Sequence, residues 1–217
     1  MNIFSPVRQA SVAVTGGIAT GKSRVAALLA GLSGAGRLDA DAVCRELLRS
    51  GAAGWQALRR TIDPAFFRPD GELDRPLFRE RLFADGALRL EVDGLLHPLA
   101  REAMHRQAGT WLKAGIYSRL VVEVPLLFEA GWQGDYHQVV VVTAEAEVCI
   151  ARLMQRDGVS RQAAMQAMAA QMPLAEKARR ADRVIDNSGD WDATRRQVEG
   201  LLPDLWPAPG EKTPKNS

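Results

Sequence analysis

Near the start of the chain, Gly16-Gly17-Ile18-Ala19-Thr20-Gly21-Lys22-Ser23 satisfies G-x-x-x-x-G-K-[ST], a pattern with a defined chemistry. Its glycines let the backbone wrap tightly around phosphate oxygens and aim several N–H groups at one anion. Lys22 is placed to reach the β- and γ-phosphates of a nucleoside triphosphate, and the Ser23 hydroxyl to ligate Mg²⁺. The helix that begins here also turns its positive dipole end to the phosphates. Gly17, Ile18, Ala19, Thr20, Gly21, Lys22, Ser23 and Arg24 are therefore the first candidate binding residues.

Such a loop works only between a buried strand and a helix. Ser11-Val12-Ala13-Val14-Thr15 supplies the first as a short β-branched run. Lys22 to Leu32 supplies the second, with Val25, Ala26, Leu28, Leu29 and Leu32 near helical spacing. A second strand near Arg37-Leu38 delivers Asp39-Ala40-Asp41 ahead of a helical run from Ala42 to Arg49. Acidic residues at the carboxyl end of a strand lie where open parallel sheets bind ligands, so one aspartate is expected to do chemistry and the other to cap or support. Further strands are expected at Arg119 to Val124, Gln138 to Thr143 and Arg183 to Asp186. Glu123 is the nearest acidic candidate for Mg²⁺ on these strands, a structural role being equally open at this point. Strands alternating with helices favour a parallel sheet covered on both faces.

Gly54 to Gly115 carries helical patterns without a parallel-strand signal. Asp74 with Pro76 reads as a helix start, and Leu88 to Leu96 and Leu99 to Leu112 as two helices separated by His97-Pro98. After the fourth strand, Glu145 to Arg156 reads as a helix with Arg152 and Arg156 four apart on one face. Ser160 caps the next, Arg161 to Met172, which Pro173 ends, and Ala175 to Ala181 follows. This basic pair is suited to a lid that brings guanidinium charge onto a transferring phosphoryl group and excludes water. Asp190 caps a final helix, Trp191 to Leu202; Met1 to Gln9 is expected to fray and the Pro-rich stretch from Pro203 to be disordered.

Composition narrows the class. The 217 residues carry a formal net charge of +2, too small to argue for nucleic acid. Cys44 and Cys149 lack metal-ligand spacing and sit in apolar helical patterns, which fits small core residues in a reducing compartment. His97, His105 and His137 have no zinc spacing. No run is long and apolar enough to span a membrane, and the first residues lack a signal peptide's pattern, so a cytosolic protein is expected.

Taken together, T-G-G-I-x-x-G-K-S at Thr15 to Ser23, D-A-D at Asp39 to Asp41, L-H-P at Leu96 to Pro98, V-P-L-L-F-E at Val124 to Glu129, Q-R-D at Gln155 to Asp157 and A-D-x-V-I-D-N-S-G at Ala181 to Gly189 make the chain resemble the dephospho-CoA kinases. The resemblance runs from about Ser11 to about Val198. It implies an α/β P-loop kinase fold with a five-stranded parallel sheet, and ATP-dependent phosphorylation of the ribose 3′-hydroxyl of dephospho-CoA with Mg²⁺. The expected parts are a nucleotide-binding core (10–41, 116–148 and 181–203), a helical insertion for the CoA substrate (42–115), a lid (149–180) and a tail (204–217). By the same resemblance Asp41 is the general base and Asp39 supports it or the metal, Arg152 and Arg156 face ATP, Asn187 lies near the adenine, and His97 and Arg101 face the substrate. Departures are Ala19-Thr20 for the commoner Gly-Ser, Arg24 for Thr, and Glu123 where many members have Asp; Ala19 requires a backbone that a non-Gly residue can adopt. Rival readings are another small-molecule P-loop kinase, a nucleotide-dependent switch, for which no N-K-x-D guanine reader is present, and an idle scaffold. Oligomeric state is not legible.

Overall fold

In the computed structural model, which describes residues 5–206, a parallel sheet runs in the order β2-β3-β1-β4-β5. The strands are β1 (Ser11–Gly16), β2 (Gly36–Asp39), β3 (Leu120–Glu123), β4 (Gln138–Thr143) and β5 (Arg183–Asp186). β1 is central, with Val14 opposite Glu123 on β3 and Val140 on β4, while Asp39 at the end of β2 also stands opposite Glu123. Every residue of β1 is buried. A strand covered on both faces needs such a continuous apolar run, which is why no alternation is visible in it.

The helices are α1 (Ser5–Ala10), α2 (Lys22–Ser33), α3 (Ala40–Leu47), α4 (Ala53–Thr61), α5 (Arg75–Ala84), α6 (Gly86–Lys113), α7 (Ala146–Asp157), α8 (Arg161–Ala169), α9 (Leu174–Arg179) and α10 (Trp191–Leu205). Val25, Ala26 and Leu29 of α2 and Val198 and Leu205 of α10 share one core with Val12, Val14, Val121, Val140, Val142 and Ile185 from the sheet. α2 stops at Gly34, in the left-handed conformation at φ 63°, with its N–H returned to the Ala30 carbonyl. Ser160 and Asp190 cap α8 and α10 as expected, accepting from the N–H groups of Ala163 and Ala193.

The chain divides into two compact units: Ala40–Gln107 is one, and the residues before and after it form the other. Ala40–Gln107 has its own core of Leu58, Ile62, Phe67, Leu73, Phe78 and Val92. Trp55 meets Phe67 edge-on and donates from Nε1 to the Gly71 carbonyl at 3.1 Å. Asp74 caps α5 by accepting from Leu77 N–H.

Several expected boundaries differ. α6 is one helix running straight through Pro98. An interior proline costs about 3 kcal/mol, yet Val92, Ala100, Met104 and Ala108 form one buried stripe across it, and that burial outweighs the lost bond. Of Met1 to Gln9, expected to fray, the described part from Ser5 is helical, within α1, and Met1 to Phe4 lie outside the described residues. α10 continues past Leu202 through Pro203, because Leu205 is fully buried and Trp206 Nε1 donates to the Ala10 carbonyl. The rest of the expected tail, 207–217, lies outside the described residues. Cys149 is buried as expected, whereas Cys44 is only half-buried.

Candidate functional site

β1 delivers Gly16 and the following loop to the carboxyl edge of the sheet, where the strand order places β3 on one side and β4 on the other. Here a cleft of about 300 Å³ is lined by Ala19, Gly21, Lys22, Ser23, Arg152, Gln155 and Arg156. The loop is shaped by close approaches that exclude side chains. A Cβ on Gly16 would stand 2.4 Å from the Val142 carbonyl oxygen. One on Gly21, at φ 88°, would stand 2.2 Å from Asn187 Nδ2. Only glycine fits at either position.

Ala19 is the exception. Its φ is 62°, in the left-handed region, so the non-Gly residue is accommodated at a cost rather than freely. Ala19→Gly is expected to raise stability by about 0.5–1 kcal/mol, since relief of about 1–2 kcal/mol of strain exceeds the added freedom of the unfolded chain. Chemical denaturation of the two proteins would measure it, and a less stable glycine variant would contradict the strain.

Ser23 donates from Oγ to Glu123 Oε1 at 2.5 Å, and Arg37 donates from Nη2 to Glu123 Oε2 at 2.7 Å. Glu123 is only 3% exposed, so both oxygens being partnered keeps a buried charge tolerable. A hydroxyl and a carboxylate oxygen brought together are hard donors of the kind Mg²⁺ takes, one or two protein ligands with phosphates and water completing its shell. Among the described residues no cluster of three or more His, Cys, Asp or Glu offers an all-protein cage.

Asn187 is 5% exposed, and its carboxamide is committed to the loop. Nδ2 donates to the Thr20 carbonyl at 2.7 Å, while Oδ1 accepts from Thr194 Oγ1 at 2.9 Å. Arg152 donates from Nη2 to the Asn187 carbonyl at 3.0 Å and from Nη1 to the Ala19 carbonyl at 3.4 Å. Arg156 pairs with Asp157 through two 2.8 Å hydrogen bonds, which hold its guanidinium charged to higher pH than usual. Arg24 is not among the cleft-lining residues; its guanidinium lies 3.6 Å from the Trp191 ring centroid, a cation–π stack.

Burial raises the Cys149 thiol above its usual range, and the positive charges of Arg152 and Lys22 oppose that shift. A raised thiol favours the neutral form in the native chain, so this stability is full below the unfolded value of about 8.5 and is lost as pH rises through the native one. Native-state alkylation is therefore expected to label half-buried Cys44 well before Cys149 at pH 8–9, read by mass spectrometry. Equal rates would contradict the burial.

Asp39 ends β2, and Asp41 is exposed in the first turn of α3. Asp41, His97 and Arg101 belong to the unit Ala40–Gln107. There His97 Nε2 lies 3.6 Å from Asp93 Oδ1, and Arg101 follows one turn later on the same helix. Arg37, Gln155, Gln171, Lys177 and Thr194 were not singled out from sequence as site residues. Arg37 had a signal: it precedes Asp39 by two positions on a strand and so shares its face. Gln155 falls within the Q-R-D run and lines the cleft, Gln171 meets the loop at Ile18, and Lys177 and Thr194 bond to Pro125 and Asn187 beside it; no local pattern marks the last three.

The family model described as dephospho-CoA kinase matches residues 10–193. A dephospho-CoA kinase of Desulfotalea psychrophila is 42% identical over 189 residues, covering 86% of this chain and 93% of that one. One from Symbiobacterium thermophilum is 43% identical, covering 87% of this chain and 78% of its own. A crystal structure of a Thermus thermophilus protein superposes with a TM-score of 0.76 at 32% identity, covering 91% of this chain and 98% of that one. A Campylobacter jejuni dephospho-CoA kinase shares the fold, with a TM-score of 0.63 at 24% identity over 90% of this chain and 96% of its own.

Proposed function

The chain belongs to the dephospho-CoA kinase family and is an enzyme of ATP-dependent dephospho-CoA phosphorylation; from that we propose that it transfers the γ-phosphoryl group to the ribose 3′-hydroxyl, with Asp41 accepting the hydroxyl proton. The observation that carries the site assignment is the cleft in which Lys22, Ser23, Arg152 and Arg156 line one space beside buried Glu123.

Phosphoryl transfer requires a positioned hydroxyl and compensation of charge on the transferring group, with little covalent chemistry. The loop N–H groups and Lys22 hold the β- and γ-phosphates, and Arg152, already anchored to Ala19 and Asn187, sets a guanidinium beside them. Ser23 and Glu123 are the residues that would hold Mg²⁺, which when bound would supply neutralising charge to the phosphates. Arg37 fixes the orientation of the Glu123 carboxylate. Asp41 follows the end of β2 by two residues, and Asp39 supports it at the sheet edge. In this reading residues 42–115, with His97 and Arg101, receive the CoA substrate, and 149–180 closes over ATP. Asn187 contributes by bracing Thr20, its side chain being committed there. A cytoplasmic location is part of the proposal, and neither cysteine forms a disulfide.

The test is incubation of the protein with ATP, Mg²⁺ and dephospho-CoA, with product mass as the readout. Gain of one phosphoryl group, in a product that co-elutes with authentic CoA and is absent for Lys22→Ala, is the expected result. Phosphorylation of a different alcohol, with dephospho-CoA untouched, would overturn the assignment.

A further inference from the structure

The tip of the phosphate-binding loop is held from outside. The Ile18 N–H donates to Gln171 Oε1 at 2.9 Å, across a sequence separation of 153 residues. Arg152 holds the next carbonyl, that of Ala19, and the Ile18 and Ala19 side chains pack on Ile150, Leu153 and Ala164. These contacts converge on the one described non-Gly residue with positive φ. A residue in that conformation persists only where its surroundings over-determine it.

Gln171 lies between α8 and α9, and that corner is itself anchored. The adjacent Met172 N–H donates to Glu129 Oε1 at 3.1 Å, and Lys177 Nζ meets the same oxygen at 2.8 Å. Lys177 is fully buried and donates also to the Pro125 carbonyl at 3.1 Å. That carbonyl accepts from Thr15 Oγ1 at 3.2 Å, and Thr15 immediately precedes the first glycine of the loop. The path from Thr15 through Pro125, Lys177, Glu129, Met172 and Gln171 to Ile18 ties the start of the loop and its tip to one corner. It also gives the Pro125–Glu129 stretch a physical task that the phosphoryl-transfer chemistry does not.

We infer that Gln171 is a positioning residue for ATP: its carboxamide oxygen orients the Ile18 peptide and keeps Ala19 in the left-handed conformation that aims the loop's N–H groups at phosphate. The inference rests on the ATP-binding reading of the loop. It does not need dephospho-CoA to be the acceptor. Gln171 acts through the loop backbone, and this chain depends on it because alanine, not glycine, stands at position 19.

The test uses the full chain, a fluorescent ATP analogue and the exchange rate of the Ile18 amide hydrogen. Gln171→Met, which keeps length but removes the acceptor, and Gln171→Asn, which falls short of Ile18, are each expected to weaken ATP-analogue binding about tenfold and to speed Ile18 exchange. Gln171→Glu keeps an acceptor and should retain Ile18 protection. Adding Ala19→Gly to Gln171→Met should restore most of the affinity, which loss of packing alone would not allow. Unchanged analogue affinity in both Gln171→Met and Gln171→Asn would overturn the inference, as would an equal loss with alanine or glycine at 19. Because these readouts need no acceptor, they separate from product formation: a failed dephospho-CoA assay with the binding pattern intact would count against the acceptor alone.

Discussion

Asp41→Asn is expected to lower the turnover of dephospho-CoA by about two to four orders of magnitude while leaving ATP affinity within about twofold. The amide is nearly isosteric with the carboxylate and keeps its place in the exposed first turn of α3, so the exchange changes the charge there and leaves the shape nearly unaltered. What the exchange removes is the capacity, proposed for Asp41, to accept the proton of the attacking hydroxyl. The cleft proposed to hold ATP is lined by Ala19, Gly21 to Ser23, Arg152, Gln155 and Arg156, none of which the substitution alters. Single-turnover rates with saturating ATP, beside direct ATP titration, make the separation. Near-parent turnover would remove Asp41 from the base role and leave Asp39 as the nearest alternative.

Lys177→Ala is expected to cost about 3 kcal/mol, a large share of the roughly 5–15 kcal/mol that holds a domain of this kind. The ammonium is fully buried, while its partner Glu129 keeps partial access to water. Truncation leaves the Glu129 carboxylate short of a counter-charge, opens space around the lost stem, and deprives the Pro125 carbonyl of a donor. Lys177→Met refills the space without restoring the charge, so it should recover only part of the loss. Urea unfolding followed by circular dichroism would read both variants. Arg161→Ala is the contrasting case: its pairing with Glu147 is solvent-exposed, and little change is expected. A midpoint for Lys177→Ala as close to the parent as that of Arg161→Ala would mean that the buried pair carries no net stability.

The sequence and the structure agree where the physics is local. The loop from Gly16 to Ser23, the strand before it and the helix after it are all specified within a short stretch, and all three are present. The caps at Asp74, Ser160 and Asp190 were legible for the same reason, each needing only an oxygen placed before a helix. The continuity of α6 through Pro98 was not legible, because a local breaker was outweighed by a buried stripe that only the folded chain reveals. Trp206 carried α10 beyond Pro203 by a bond to Ala10 from the far end of the chain. The same limit applies to the site. Lys22 and Ser23 declare themselves by spacing, whereas Gln171 reaches Ile18 over 153 positions and looks, along the chain, like any surface glutamine. Glu123 lay between: its place at a strand end was visible, but the bonds from Ser23 and Arg37 that make it a candidate site residue were not.

The strand order has a consequence for the chain while it is being made. β1 and β2 are synthesised first, yet they are not neighbours; β3 separates them, and it begins only at Leu120. At about 5–20 residues per second, the apolar β1 emerges from the ribosome and then spends several seconds with no strand to pair with. During that interval Ala40–Gln107 appears in full, and its core is built from residues near one another in sequence. Helical contacts of that kind form rapidly, whereas parallel pairing must await distant partners. This order predicts a nascent chain in which Ala40–Gln107 gathers its local core behind an unpaired hydrophobic strand, until β3 is released and gives both earlier strands their shared partner.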